Sequence, residues 1–133
     1  MKKTSILLFI YLQVALLTGD LLFASVVVED RAYKATITRD IWGVPHIFGK
    51  TDADAAFGIA FAHAQDDIKN LTDNITLYRA EMGLKEGLKG VVSDYLIKAL
   101  KIREMVVEDY ENKLSSQVRE VIEGYVAGLN YWV

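Results

Sequence analysis

From Phe57 onward, apolar residues recur at alternating spacings of four and three: Phe57, Phe61, Ala64, Ile68, Leu71, Ile75, Tyr78 and Met82. A helix turns once in about 3.6 residues, so this spacing puts all eight on one stripe that has to be buried against another layer. Thr51 stands where an N-cap is wanted, and Asp52 and Asp54 place negative charge in the first turn, where the helix dipole favours it. Gly83, just past the stripe, is the expected stop. A one-faced helix of this length cannot stand alone, so the rest of the chain has to be read as what covers it.

Gly87 and Gly90 predict a loop after it. A second helix is predicted from about Ser93 to Lys113, with Leu96, Ala99, Leu100, Arg103, Val106 and Tyr110 near one face. Ser115 or Ser116 then caps a third, in which Val118, Ile122, Tyr125, Leu129 and Trp132 repeat at helical spacing. Gly124 and Gly128 lie one turn apart on it, so another element can approach closely there. Upstream of the stripe, Tyr33, Ala35 and Ile37 alternate with Lys34, Thr36 and Thr38, the pattern of a half-buried strand. A second apolar run, Val44 to Phe48, follows Asp40-Ile41-Trp42-Gly43, which reads as a hairpin with a four- or five-residue loop. Pro45 removes a ladder donor and so belongs on an edge strand. Two strands alone are marginal in water, and the third helical pattern is still running at Trp132 and Val133. Residues 25–133 therefore read as the opening part of a larger fold.

The N-terminus reads as an address. Lys2 and Lys3 precede an uncharged run from Ile6 to Leu17, the pattern of a secretory signal peptide. The expected division is a signal peptide at 1–24 and a truncated domain at 25–133, with an exported, periplasmic or extracellular product. An uncleaved leader acting as a membrane anchor is the alternative, although Asp20 would cost about 3 kcal/mol at the centre of a spanning helix. The chain has no cysteine, so an exported product forgoes disulfides and depends on core packing. A net charge of −3 offers nucleic acid no electrostatic footprint, and no nucleic-acid partner is expected.

Side chains able to carry chemistry are few. His63, Asp66 and Asp67 share one helical face at i, i+3 and i+4, a spacing that suits two or three metal ligands; no further histidine or cysteine follows, and hydrogen-bond or ion-pair roles are expected instead. His46, after Pro45, is expected to be a buried histidine satisfied by its neighbours. Ser93, Ser115 and Ser116 stand at predicted helix starts and are read as caps rather than nucleophiles. Asn70 and Asn74 begin glycosylation sequons inside a helical segment and are read as chance. No catalytic residue is expected in this chain.

Two stretches and a third near the end carry a resemblance. Thr38-Arg39-Asp40-Ile41-Trp42-Gly43-Val44-Pro45-His46-Ile47, then Ala53-Asp54-Ala55-Ala56-Phe57-Gly58-Ile59-Ala60-Phe61-Ala62-His63-Ala64-Gln65-Asp66, then Glu123-Gly124-Tyr125-Val126-Ala127-Gly128-Leu129-Asn130-Tyr131-Trp132 resemble three blocks at the start of the penicillin acylase family. Asp67, where penicillin G acylases carry arginine, is more like the acyl-homoserine lactone acylase branch. The resemblance implies an α+β piece of an αββα N-terminal nucleophile hydrolase, contributing one β-hairpin and about three helices. It implies an exported precursor that cuts itself into a small α chain and a large β chain. The β chain's first residue, a serine, attacks an N-acyl amide with its own α-amine as base, and an acyl-enzyme follows. The implied partners are that β chain and a small N-acyl amide substrate, with a membrane only through an uncleaved leader. No cofactor is implied for this stretch, and a structural calcium belongs to the full enzyme. Arg39, Asp40, Gly43, Pro45, His46, Asp54, Gly58, His63, Asp66, Gly128 and Asn130 match the motifs and take structural roles. A non-catalytic exported or membrane-anchored helical module, the remnant of a truncated acylase gene, is the rival reading.

Overall fold

A computed structural model describes residues 24–133, so the predicted leader lies outside the described residues except for Ala24. Three strands come first: β1 (Ala24–Glu29), β2 (Lys34–Arg39) and β3 (Pro45–Gly49). They form an antiparallel sheet in the order β1-β2-β3. Five helices follow: α1 (Asp52–Tyr78), α2 (Met82–Glu86), α3 (Leu88–Ala99), α4 (Ile102–Asn112) and α5 (Ser116–Trp132).

The predicted hairpin is present as β2 and β3, with Arg39 opposite Pro45 and a loop of Asp40 to Val44. It is not alone. Ala24 to Glu29 adds a third strand, with Ala24 opposite Arg39 and Val28 opposite Ala35. An unbroken apolar run beside a leader has no period of its own, so sequence could not separate this strand from the address. Pro45 opens the edge strand β3, where its missing N–H costs no ladder bond.

The N-terminal half of α1 lies across β2 and β3 and runs along α5. Val28, Ala35, Ile37, Phe57 and Ala62 form the core cluster. Phe57 is fully buried, stacked on Tyr33 at 5.8 Å between ring centroids and tilted against Tyr131 at 5.6 Å. Two glycines permit this approach. A Cβ on Gly58 would come within 2.7 Å of Ala35 and Ile47, and one on Gly128 would collide with the Phe57 carbonyl. Small residues at these crossings let backbones meet, which is why α1 is rich in alanine on this half.

The single stripe is corrected in the middle. At Asp67 the backbone leaves helical geometry (φ −151, ψ 50) and α1 kinks. Asp67 Oδ1 accepts the Asn70 N–H at 3.4 Å and Oδ2 accepts the Asn70 side-chain amide at 2.7 Å, so Asp67 acts as an internal cap for the second half. Before the kink, Phe57 and Ala64 are buried; after it, Ile68, Ile75 and Tyr78 are exposed.

The stop is also earlier than Gly83. Ala80 takes a left-handed φ of 56°, the Ala80 N–H reaches Leu77 O and the Glu81 N–H reaches Thr76 O, a Schellman ending built without glycine. Gly83 instead lies in α2, whose first N–H groups at Met82 and Gly83 donate to Asp94 of α3 at 2.8 and 2.7 Å. Gly90 is not in a loop but buried in α3, where a Cβ would strike the Met82 carbonyl. The predicted second helix is two helices, broken at Lys101, which adopts φ 52°. Ser93 accordingly sits inside α3 and caps nothing, whereas Ser115 does cap α5 by accepting the Val118 N–H at 3.3 Å. Among the described residues no helix is long and apolar enough to cross a membrane.

Candidate functional site

The last residue of β2 and the loop after it form the most densely bonded polar cluster. Arg39 Nη2 donates to Asp66 Oδ1 at 2.7 Å and Nη1 to Asp66 Oδ2 at 3.1 Å, a two-pronged pair of guanidinium and carboxylate. The same guanidinium donates to Gln65 Oε1 at 3.0 Å and to the Gly43 carbonyl at 2.7 Å. The loop is held from inside by Asp40, whose Oδ1 accepts the N–H groups of Trp42 and Val44, both at 2.9 Å. Gly43 closes the turn with its N–H on Asp40 O at 2.9 Å and a φ of +80° that an L side chain rarely adopts. Partial burial alone would raise the Asp40 carboxyl. The N–H groups of Val44 and Trp42, with His46, outweigh it and hold the carboxyl below the ordinary carboxylate value.

Arg39 thus ties the hairpin loop to the Gln65-Asp66 turn of α1. What it leaves outside is apolar: Ile41, Val44 and Trp42 are exposed, Trp42 at 82%. Asp54 makes a second tie at the other end of the helix. It forms a capping box with Thr51 and accepts the Lys34 N–H at 2.9 Å, fastening the start of α1 to the start of β2. That backbone bond is the main reason its carboxyl is lowered. His63 supplies a third, with Nδ1 2.9 Å from the Tyr125 hydroxyl of α5. Gly58 and Gly128 are the close crossings described above.

His46 is corrected: it is exposed on β3, not buried, with Nε2 3.4 Å from Asp40 Oδ2. A strand alternates faces, and Ile47 rather than His46 takes the inward one. Asn130 is exposed on α5 and makes no side-chain hydrogen bond among the described residues. His63, Asp66 and Asp67 do not converge, because each faces a different partner: Tyr125, Arg39 and Asn70. Among the described residues no group of three histidine or acidic side chains could hold a metal ion, so the calcium implied for the full enzyme finds no fitting ligand set here. Neither Ser93, Ser115 nor Ser116 is bonded to a histidine. The cluster can position a loop and a helix; it has no nucleophile beside a base.

Sequence reasoning missed the Asp94 cap and the bond from Tyr110 to Glu123, at 3.0 Å, because both join residues more than ten positions apart. It also missed a groove behind the kink, walled by Leu71, Ile75 and Tyr78 of α1, Ile102 and Val106 of α4, and Leu129 of α5.

Arg39 thus locks the three-stranded sheet to the kinked helix that crosses it. The penicillin amidase family profile matches residues 34–133, and the chain belongs to that family. It is similar to the penicillin acylase 2 proenzyme of Pseudomonas sp. (strain SE83), 34% identical over 71% of this chain and 12% of that protein. It is also similar to the acyl-homoserine lactone acylase PvdQ of Pseudomonas savastanoi pv. phaseolicola (strain 1448A / Race 6), 30% identical over 80% of this chain and 15% of that protein. In fold it matches the thermostable penicillin G acylase from Alcaligenes faecalis with a TM-score of 0.58 and 19% identity, covering 82% of this chain and 53% of that one. The chain therefore spans between 12% and 15% of the length of these two curated relatives.

Proposed function

We propose that this chain is the N-terminal, α-chain part of an exported amide hydrolase that removes the acyl group from an N-acyl amide of β-lactam or acyl-homoserine lactone type. Its share of the work is scaffolding. The nucleophile of the reaction is the N-terminal serine of a β chain made from the same precursor, acting through an acyl-enzyme with its own amine as base. The observation that carries this reading is the clamp: the two motif blocks that match the family meet in space through Arg39, Gln65 and Asp66. Residues 1–24 serve as the signal peptide in this reading, and residues 25–133 belong to the acylase domain.

Two measurements test it. The purified 133-residue chain is expected to hydrolyse neither penicillin G nor a dodecanoyl homoserine lactone; turnover by this chain would place the nucleophile within it and overturn the assignment. Sequencing the gene past codon 133 is expected to show an open frame with a Gly-Ser or Ala-Ser processing site. A stop codon there would favour the non-catalytic remnant.

A further inference from the structure

Between Lys101 and Ser115 the chain forms α4, a helix held less firmly than the one after it. None of its 11 residues is buried, and Met105, Val106 and Val107 are each more than half exposed. Hollows flank it on both sides. One is the groove behind the kink, about 700 Å³, which Ile102, Val106 and Val107 line together with α1 and Leu129 of α5. The other, about 440 Å³, is lined by Met105, Val106 and Tyr110 together with Leu114 and Ile122. A wall that faces a hollow has few atoms to pack on, so α4 gains little dispersion energy from either side.

The ends of α4 are no better served. Lys101 starts it in the left-handed region, and no side chain caps its first N–H groups. Glu108, Asp109 and Glu111 gather near its C-terminus, where the helix dipole already concentrates negative charge, and no basic residue stands in that turn. Only Asp109 is offset from just beyond the helix, by Lys113 at 2.7 Å. Free helices shorter than about 12–15 residues are marginal in water, so α4 depends on its ties to the body. Two side-chain ties reach α5. The Tyr110 hydroxyl donates to Glu123 Oε1 at 3.0 Å, and Arg119 Nη1 donates to Glu111 Oε2 at 2.7 Å. Both fall at the C-terminal end, and Glu111 is 70% exposed, so water screens its pair. By contrast, α5 is fixed without α4, because Gly124 and Gly128 are buried against Ala53 and Phe57 of α1.

We propose that α4 is a strap that opens as a unit, swinging on Lys101 and on the turn from Lys113 to Ser115 while the sheet, the first half of α1 and α5 stay folded. Opening breaks the two ties to α5 and uncovers Ile122 and Leu129; closing remakes them. An element with so little buried surface opens at far lower cost than the whole molecule unfolds. The device lies in the packing of this chain and stands whether or not the amide-hydrolase reading holds.

The test is native-state hydrogen exchange of the purified 133-residue chain, with rates corrected for their intrinsic values. Amides from Met105 to Asn112 are expected to exchange together, at least about tenfold faster than those of α5 from Glu120 to Asn130. Tyr110→Phe is expected to speed exchange across α4 about fivefold, the loss of one hydrogen bond. Glu108→Lys, at an exposed position, is expected to slow it roughly threefold by placing a positive charge near the helix C-terminus. Neither substitution should move the rates in α5 or in the first half of α1. A gap between α4 and α5 smaller than tenfold would overturn the proposal, as would substitutions that leave α4 unchanged or shift α1 and α5 equally. So would protection that declines residue by residue from the ends of α4, which is fraying rather than the opening of a unit.

Discussion

Arg39 is a single side chain with four acceptor contacts, and its value lies in what it joins rather than in bulk. Asp66 is half exposed, so screening limits the pair itself to about 0.5–1 kcal/mol. A double-mutant cycle of Arg39→Ala and Asp66→Asn, read by urea unfolding, should return a coupling of about that size; a coupling of zero would show the clamp to be incidental. Asp54 offers a pH-dependent counterpart. Its folded carboxyl titrates below the ordinary 3.8, so the stability it lends is fully present above that value and is lost as pH falls through the depressed one. Asp54→Asn should lower stability at neutral pH by about 1 kcal/mol, as for a lost helix cap. The gap between variant and wild-type melting temperatures should close as the solution is taken well below pH 3.8. Much at this scale was legible in the sequence. Thr51, Ser115 and the glycine of the hairpin turn announce themselves because cap and turn chemistry is local. The partners of Arg39 and His63 were not legible, since both bonds cross from one element to another.

Among the elements, α1 and the segment after it show where periodicity ends as a guide. Eight residues at helical spacing read as one stripe, and they do form one element, yet a capping aspartate divides it into two halves with different neighbours. Of the three breaks between α1 and α4, the one at Gly87 has a glycine at positive φ, and the other two have none at their left-handed positions. Ala80 and Lys101 fill those places, and this is why the first helix was expected to run on to Gly83 and the second to be unbroken. A left-handed L-residue costs about 1–2 kcal/mol, of which a glycine would return part after its larger unfolded-state entropy of about 0.4–1 kcal/mol is deducted. Lys101 is exposed and its side chain caps nothing, so Lys101→Gly should stabilise the chain by about 0.5–1 kcal/mol in thermal unfolding. A destabilised Lys101→Gly would mean that the α3–α4 break is not left-handed in solution.

Among the described residues, the polar clamp and aromatic core lie at the sheet, and exposed apolar residues crowd α2 to α4 as well as the hairpin loop. Leu84, Leu88, Tyr95, Leu100, Met105 and Val107 are all more than half exposed, far more than isolated surface residues. The purified chain should bind the dye ANS and associate as its concentration rises in sedimentation velocity. A strictly monomeric, dye-silent chain would mean that this surface needs no cover. The sequence already implied this lack of cover, through a two-stranded hairpin that is marginal in water by itself; which faces would be left open depended on the breaks at Asp67, Ala80 and Lys101. The first of these breaks has a further consequence. It lies between a half whose rotation is set by Gly58 on the sheet and a half that walls the groove, so it governs angular phase. Deleting one residue between Ala64 and Asp67 would turn the distal half by about 100° about its axis, swinging Leu71 and Ile75 away while the sheet stayed packed. Length variation in this family should therefore be tolerated in the turns after Tyr78 and be selected against within that short stretch.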